Sequence, residues 1–435
     1  MLAYHFPPVG GAGVQRAVKF ARYLGEFGYD AVVLTGNGQA EGRWTPRDET
    51  LLEELPPGLD VLRLAAPEPP RSTGFRATRE RWLGTRTRFA RWWTSGLTAA
   101  ARQLPPVDLI LTTMSPFESA EVAAEIAARL HVPWVADLRD PWALDEMRVY
   151  PTALHRKLEE SRMRSALASA DAIVMNTREA AQRLAERFPE FHGRFVTSIP
   201  NGFDSADFSS HVTPRVDAAF RIVHAGYLHT DLGREDRFVR RLLGGSTQKA
   251  SRKARSLLYL SEAIFRLRRR EPELAGALEI HVAGVLSESD RSMLPADLLH
   301  AHGYLPHRGA IELMRSADLL FLPMHDLAPG RRATIVPGKT YEYLATGRPL
   351  LAALPDGDAR DVVAQVPGAF LCRPTDIAGM ERILEKLLRK RTTAEPPSGP
   401  SEGFLAQFER RHLAGRLADV FDRVLAEPQG PTVPS

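Results

Sequence analysis

Short apolar runs alternate with longer stretches in which apolar residues recur every three or four positions, from one end of the chain to the other. That alternation predicts parallel β-sheets joined by crossover helices. In the first half the strand candidates are Leu2 to Phe6, Ala31 to Thr35, Val61 to Leu64, Leu109 to Thr113, Trp134 to Asp137 and Ala172 to Met175. Their continuous apolar character suits strands covered on both faces. Val14, Val18, Ala21 and Leu24 keep helical spacing up to Gly28, so the chain opens as strand, glycine turn, helix, strand. The pattern restarts after Ile199-Pro200-Asn201-Gly202-Phe203-Asp204, with strands expected at Arg221 to Ala225, Glu279 to Ala283, Leu319 to Pro323, Leu350 to Ala353 and Ala369 to Cys372. The expected fold class is therefore α/β, with two Rossmann-like domains at 1–200 and 205–400 and a proline- and glycine-bearing hinge at 201–204. A polar, proline-rich linker closes the second domain. An amphipathic helix at 401–427 then carries Phe404, Phe408, Leu413, Leu417, Phe421 and Val424 on one stripe, and the tail 428–435 is expected to be disordered. The first strand offers only Leu2 to Phe6, shorter than buried parallel strands normally run, which raises the expectation that the natural start lies upstream.

Composition narrows the class. A chain of 435 residues exceeds what one core usually organises, in line with two domains. The single cysteine, Cys372, has no disulfide partner, which suits a reducing compartment. No signal-peptide pattern opens the chain and no apolar stretch approaches the ~20 residues needed to span a bilayer. A cytoplasmic protein is expected, with any membrane contact peripheral, on the inner face of the plasma membrane. Net charge is only +4, but it is clustered: residues 71–91 carry seven arginines against one glutamate, and 231–256 hold a second basic run. No zinc-finger spacing, RNA-binding aromatic signature or basic zipper accompanies them, so nucleic acid is not the expected partner; phosphates of a nucleotide or lipid are. Phe75, Trp82, Phe89, Trp93 and Leu97 share a helical face flanked by arginines, which reads either as an anionic-membrane surface or as an ordinary helix with its aromatics in the core.

Candidate chemistry starts at the glycines after the first strand. Gly11 and Gly13 would let backbone amides approach a phosphate or sugar at the start of the next helix. A dinucleotide fingerprint fails twice there: Arg16 stands where a third glycine is needed, and Thr35-Gly36 where the second strand should end in an acid. No Gly-Lys-Ser/Thr closes a P-loop either, and a plain tight turn remains the alternative. In the second half Pro337-Gly338 precedes a short helix whose free amides suit a diphosphate, Lys339 adds a cation, and Glu342 follows in the first turn. Glu342 reads equally as a ribose ligand or as an acid favouring the helix N-terminus. Asp137-Leu138-Arg139-Asp140 lies just past a strand's C-terminal end, where ligands of open α/β sheets bind; the alternative is an Arg–Asp pair fixing the loop. The basic stretch 244–255 reads as a solvated loop, and Asp356-Gly357-Asp358 as a turn without metal. No His/Cys spacing suggests zinc, so the metal expectation is none.

Five segments in order resemble the bacterial family-four retaining glycosyltransferases of the GT-B fold. They are Phe6-Pro7-Pro8-Val9-Gly10-Gly11-Ala12-Gly13-Val14-Gln15-Arg16, Asp108 to Phe117, Pro133 to Trp142, Ile199 to Asp204, and the pair Ala317 to Pro323 with Val336 to Leu350. The resemblance implies two Rossmann-like domains facing each other across a cleft, with the acceptor on the first and a nucleotide-sugar donor on the second. It implies transfer to a glycan or lipid-linked acceptor in envelope or exopolysaccharide synthesis, with no cofactor and no metal. It favours ribose for Glu342, places Thr334 where the family usually has a sugar-contacting glutamate, and leaves the amides of 335–338 to replace it. It draws a phosphate-binding arginine from the loop holding Arg234 and Arg237, sets Arg139 where many members have a histidine to orient phosphate, and gives Asp140 a hydroxyl to hold. The diphosphate would leave against Pro337, Gly338, Lys339 and a loop arginine, with front-side attack and closure about Asn201-Gly202. Two rivals stand beside this: a GT-B epimerase or hydrolase acting on the nucleotide sugar alone, and a non-catalytic nucleotide-sugar-binding subunit.

Overall fold

A computed structural model describes residues 1–11, 13–39, 46–210, 217–231, 242–245, 250–390 and 399–426. The chain divides into two compact units: Met1–Asn201 with residues 242–245 and the closing helix Arg410–Ala426, and the remainder from Gly202 to Glu409.

The first unit contains a seven-stranded parallel sheet ordered β3-β2-β1-β4-β5-β6-β7, where β1 is Leu2–Ala3, β2 Val32–Thr35, β3 Asp60–Arg63, β4 Ile110–Met114, β5 Trp134–Leu138, β6 Ala172–Met175 and β7 Phe195–Ser198. The second contains a six-stranded parallel sheet ordered β10-β9-β8-β11-β12-β13: β8 is Phe220–Ala225, β9 Leu278–Ala283, β10 Leu299–Gly303, β11 Leu319–Pro323, β12 Leu350–Ala353 and β13 Ala369–Cys372. Two parallel-sheet α/β units are the expected fold class. In each sheet the unit's first strand sits centrally and the strand order reverses across it, β1 between β2 and β4, β8 between β9 and β11. The crevice beyond the C-terminal ends of strands at such a reversal is where open α/β sheets bind ligands.

Every residue of β4, β5, β6, β11 and β12 is buried, which is why their apolar runs are legible. Two strands escaped the apolar reading, β7 and β10, and both are edges. β7 is half-buried throughout and β10 alternates half-buried with exposed, so neither needs a continuous apolar run. The first strand is shorter than Leu2 to Phe6, ending at Ala3 before the turn toward the glycines. Helix α1 (Gln15–Tyr23) continues as a 3-10 turn to Phe27 and ends on Gly28 at φ 83°, a left-handed position that glycine adopts without cost.

The C-terminal stripe is divided. Phe203 N donates to Phe408 O at 3.1 Å and Ser205 Oγ to Glu409 at 3.3 Å, so the chain at 407–409 is held against 203–205 and the helix breaks there. Phe404 and Phe408 stay with the second unit, the Phe408 ring lying tilted against Tyr341 with centroids 4.9 Å apart. Leu413, Leu417, Phe421 and Val424, on the helix Arg410–Ala426, join Phe20, Tyr23, Leu24, Leu111 and Val135 in a core of the first unit.

The arginine-flanked aromatic face is also two helices. Gly84, at φ 62°, ends α2 (Gly74–Leu83), and Thr87 caps α3 (Arg88–Ala100). Phe89, Trp93 and Leu97 on α3 are core residues; α2 buries none, and Phe75 is 83% and Leu83 67% exposed. No described helix is long and apolar enough to cross a membrane.

Candidate functional site

In the first unit the residues after β1 form a loop pinned by backbone hydrogen bonds in both directions. Gly10 N donates to Pro46 O at 2.6 Å and Arg63 Nη2 to Pro7 O at 2.6 Å. Gly11 holds φ at 94°, closed to most side chains. Gly13 lies in close contact with the Arg139 guanidinium and the His5 ring, and a Cβ there would displace Nη1 of Arg139, 2.6 Å away. Arg139 donates to Gly13 O through Nη1 and to Met114 O through Nε at 3.0 Å, while its own carbonyl accepts from Asn176. It thus ties the glycine loop to the ends of β4 and β5. Asp140 beside it is exposed.

The buried Arg–Asp pair weighed for this loop exists between other partners. Arg16, the residue that spoiled the dinucleotide fingerprint, is 1% exposed and grips Asp137 through Nη2 at 2.6 Å and Nε at 2.9 Å, with Nη1 donating to Pro200 O at 3.0 Å. Removing one partner of such a pair costs roughly 3–5 kcal/mol. His5, not singled out in the sequence, packs against Gly13, and its Nδ1 is buried with no hydrogen-bond partner among the described residues. Burial, then the charges of Arg139 and Arg71, drive its pKa down to about 3, so it is neutral.

In the second unit the site grows from the end of β8. His224 turns Nδ1 to Phe321 O at 3.0 Å and Nε2 to Lys339 Nζ at 3.3 Å, which fits a neutral ring accepting from the ammonium. Gly226 holds φ at 120°, a backbone conformation that favours glycine, and it lies close against the Lys339 ammonium. Tyr343, on the helix Lys339–Ala345, accepts from Ala225 N at 2.7 Å and fixes the helix against the strand end. Burial and then the charge of Arg255 bring Lys339 down to about 7, opposed by Glu342. His229, whose N donates to Arg255 O at 2.8 Å, is brought to about 2 by burial, Arg255 and Lys339. Among the described residues no carboxylate pairs with Lys339. The product is a crowded cationic and imidazole cluster at a helix start, a ready anion site. Arg255 was missed in the sequence, where it reads as part of a solvated loop; the signal was arginine immediately before the apolar helix from Leu258.

Glu342 is half-buried in the helix's first turn, Gly338 half-buried before it and Pro337 buried. Thr334 is fully buried, next to Ala333, which bridges Gly357. Arg234 and Arg237 lie outside the described residues. Asp356 meets Arg373 at 3.4 Å and Arg360 at 4.0 Å, and Asp358 meets Arg332 at 3.7 Å, so both carboxylates face guanidinium groups.

Residues 10–202 match the family model described as "Glycosyl transferase 4-like domain". The matched stretch covers most of the first unit, which is thus similar to a glycosyl transferase 4-like domain. Within that domain lie Gly11, Gly13, Arg139 and Asp140; the Lys339 cluster lies beyond it. No curated protein matches the chain in sequence. Among solved structures, sucrose-phosphate synthase from Thermosynechococcus elongatus superposes with a TM-score of 0.59 at 13% identity, covering 98% of each chain. Anabaena HepE, in complex with UDP and glucose, superposes at 0.57 and 15%, covering 97% of this chain and 98% of its own. A putative UDP-N-acetylglucosamine 2-epimerase from Listeria monocytogenes gives 0.52 and 12%, covering 95% and 94%. The two parallel-sheet units thus have the GT-B fold.

Proposed function

We propose that this protein is a retaining glycosyltransferase that moves a sugar from a nucleoside-diphosphate sugar to a glycan or lipid-linked acceptor. The observation that carries the reading is the Lys339 cluster: an ammonium half-buried beside His224, with Arg255 close enough to depress its pKa and no carboxylate paired to it among the described residues. A diphosphate supplies the missing negative charge. Pro337, Gly338 and Lys339 receive it, Glu342 takes the ribose hydroxyls, the amides of 335–338 meet the sugar, and Arg234 or Arg237 adds a further phosphate contact. Because Thr334 is fully buried, it acts by shaping that loop.

In the first unit Arg139 holds the glycine loop, with Gly11 and Gly13 presenting backbone to the ligand. Asp140, exposed at the end of β5, accepts a hydroxyl of acceptor or sugar. The C1–O bond to the diphosphate breaks, the acceptor oxygen bonds C1 on the same face, and the departing phosphate takes the acceptor's proton. Electrostatic stabilisation of that phosphate supplies most of the rate.

Exposed α2, bearing Phe75, Trp82 and Leu83 among arginines, supports peripheral docking on an anionic membrane, where a lipid-linked acceptor of envelope glycan synthesis would be found. UDP, carried by HepE, is the first nucleotide to test. Release of nucleoside diphosphate from a panel of nucleotide sugars, with and without membrane extract, tests the reading. Release that depends on acceptor supports transfer. Equal release without acceptor makes the protein a hydrolase, an epimerised sugar makes it an epimerase, and binding without turnover makes it a binding subunit.

A further inference from the structure

At the outer edge of the second sheet, β9 carries Glu279 and His281 and the edge strand β10 carries His300 and His302. Side chains two apart on a strand share a face, and the parallel register sets His300 beside His281, so all four project from one side. His281 Nε2 lies 3.0 Å from Glu279 Oε2, its Nδ1 3.0 Å from His302 Nε2, and His300 Nε2 4.0 Å from Glu279 Oε1. The ring of His281 stacks on His300 with centroids 4.5 Å apart and on His302 at 5.2 Å. One donor atom from each of Glu279, His281 and His300 falls within 4.8 Å of the others. Donors bonded to one tetrahedral ion at about 2.0–2.2 Å stand roughly 3.3–3.5 Å apart, so small rotations of these side chains suffice to share an ion.

We propose that Glu279, His281 and His300 bind a divalent late-transition-metal ion, of the class zinc, nickel or copper, and that His302 positions His281 by accepting its Nδ1–H. Imidazole and carboxylate donors select that class over magnesium or calcium. A metal-bound histidine that donates its other ring N–H to a fixed acceptor is the usual supporting arrangement, and His302 Nε2 is already in place. His300 is exposed and gives the ion its entry, while His281 is buried and gives it a fixed anchor. Arg221 competes for the carboxylate, its Nε 3.5 Å from Glu279 Oε2, but its Nη2 already pairs with Asp217 at 2.9 Å and keeps that partner when the ion arrives. The ion would clip the edge strand β10 to β9. None of the four residues belongs to the Lys339 cluster, so the site is structural or regulatory and outside the transfer chemistry.

The test uses the full chain without a histidine tag, stripped with chelator and titrated with zinc by calorimetry and with cobalt by visible absorption. One ion per chain, visible d–d bands from cobalt, and a rise in melting temperature with zinc are expected. His300→Ala, at an exposed position that leaves the core untouched, should weaken zinc at least tenfold. His302→Ala should weaken it roughly ten- to a hundredfold while cobalt keeps its band shape. His131→Ala, elsewhere on the surface, should leave the affinity for zinc unchanged. Absence of stoichiometric binding of both zinc and cobalt, or His300→Ala binding zinc as tightly as the parent, overturns the proposal.

Discussion

Lys339 shows how one buried cation can weaken the fold around it. Its pKa of about 7 in the folded chain lies far below the 10.5 of a free lysine, so between those values the unfolded chain binds the extra proton and stability rises with pH. Equilibrium unfolding at pH 7 and pH 9.5 should show that gain in the parent and a smaller one in Lys339→Met. The same substitution should abolish nucleoside-diphosphate binding without destabilising the protein at pH 7; a normal affinity in the variant would remove Lys339 from the site. Glu342→Ala should leave the fold intact and weaken nucleoside diphosphate by about 2–4 kcal/mol, roughly thirty- to a thousandfold, from the loss of two charge-assisted hydrogen bonds to ribose. Calorimetric titration reads this directly, and an unchanged affinity would return Glu342 to the plain role of an acid at a helix start. Gly338, Lys339 and Glu342 were legible because they are close in sequence. Arg255 and His229 were not, since only the folding of β8 against β11 brings their loops toward Lys339, and neither spacing nor composition encodes that meeting.

At the scale of elements, buried strands announce themselves and edge strands do not. β4, β5, β11 and β12 are sealed on both faces and are mostly apolar, their few polar residues, such as Asp137 held by Arg16, being buried, whereas β7 and β10 are half-buried or exposed edges that carry Thr, Ser and His. The four-residue cluster on β9 and β10 was hidden for a related reason. Metal spacing is sought within one segment, and here the donors come from strands about twenty residues apart, joined only by register. The arginine-rich stretch offers a cleaner division, because Gly84 splits one apparent face into a core helix and a surface helix. Flotation with anionic liposomes at low salt should recover the parent protein. A Phe75→Ser, Leu83→Ser double variant, altering only exposed positions of α2, should remain in the soluble fraction with its melting temperature unchanged. Equal flotation of the two proteins would assign the membrane contact elsewhere, and none by the parent would reject it.

For the molecule as a whole, the division into two parallel-sheet α/β units was the most legible property, because two rounds of the same strand–helix alternation leave few other arrangements, while the GT-B assignment came from the resemblance of the five segments. The proposed reaction places its demand for positive charge on Lys339, Arg255 and helix amides, while Asp356 and Asp358 face arginines. Excess EDTA should therefore leave the rate of sugar transfer largely unchanged, measured as acceptor-dependent nucleotide release. Turnover that is lost on chelation and returns only with magnesium or manganese would contradict the assignment. An ion held by Glu279, His281 and His300 would be removed in the same experiment and be seen in the melting temperature instead of the rate. The helix Arg410–Ala426 carries a different consequence. On the ribosome, the first unit emerges first yet lacks Leu413, Leu417 and Phe421, the side chains that cover Phe20, Tyr23 and Leu24. The second unit has its whole sheet available before that helix is made. The half begun earliest is thus completed last, and its exposed α1 face is a natural client for a chaperone throughout elongation. A nonsense codon after residue 409 would leave the second sheet whole and uncover apolar surface near the opposite end of the chain.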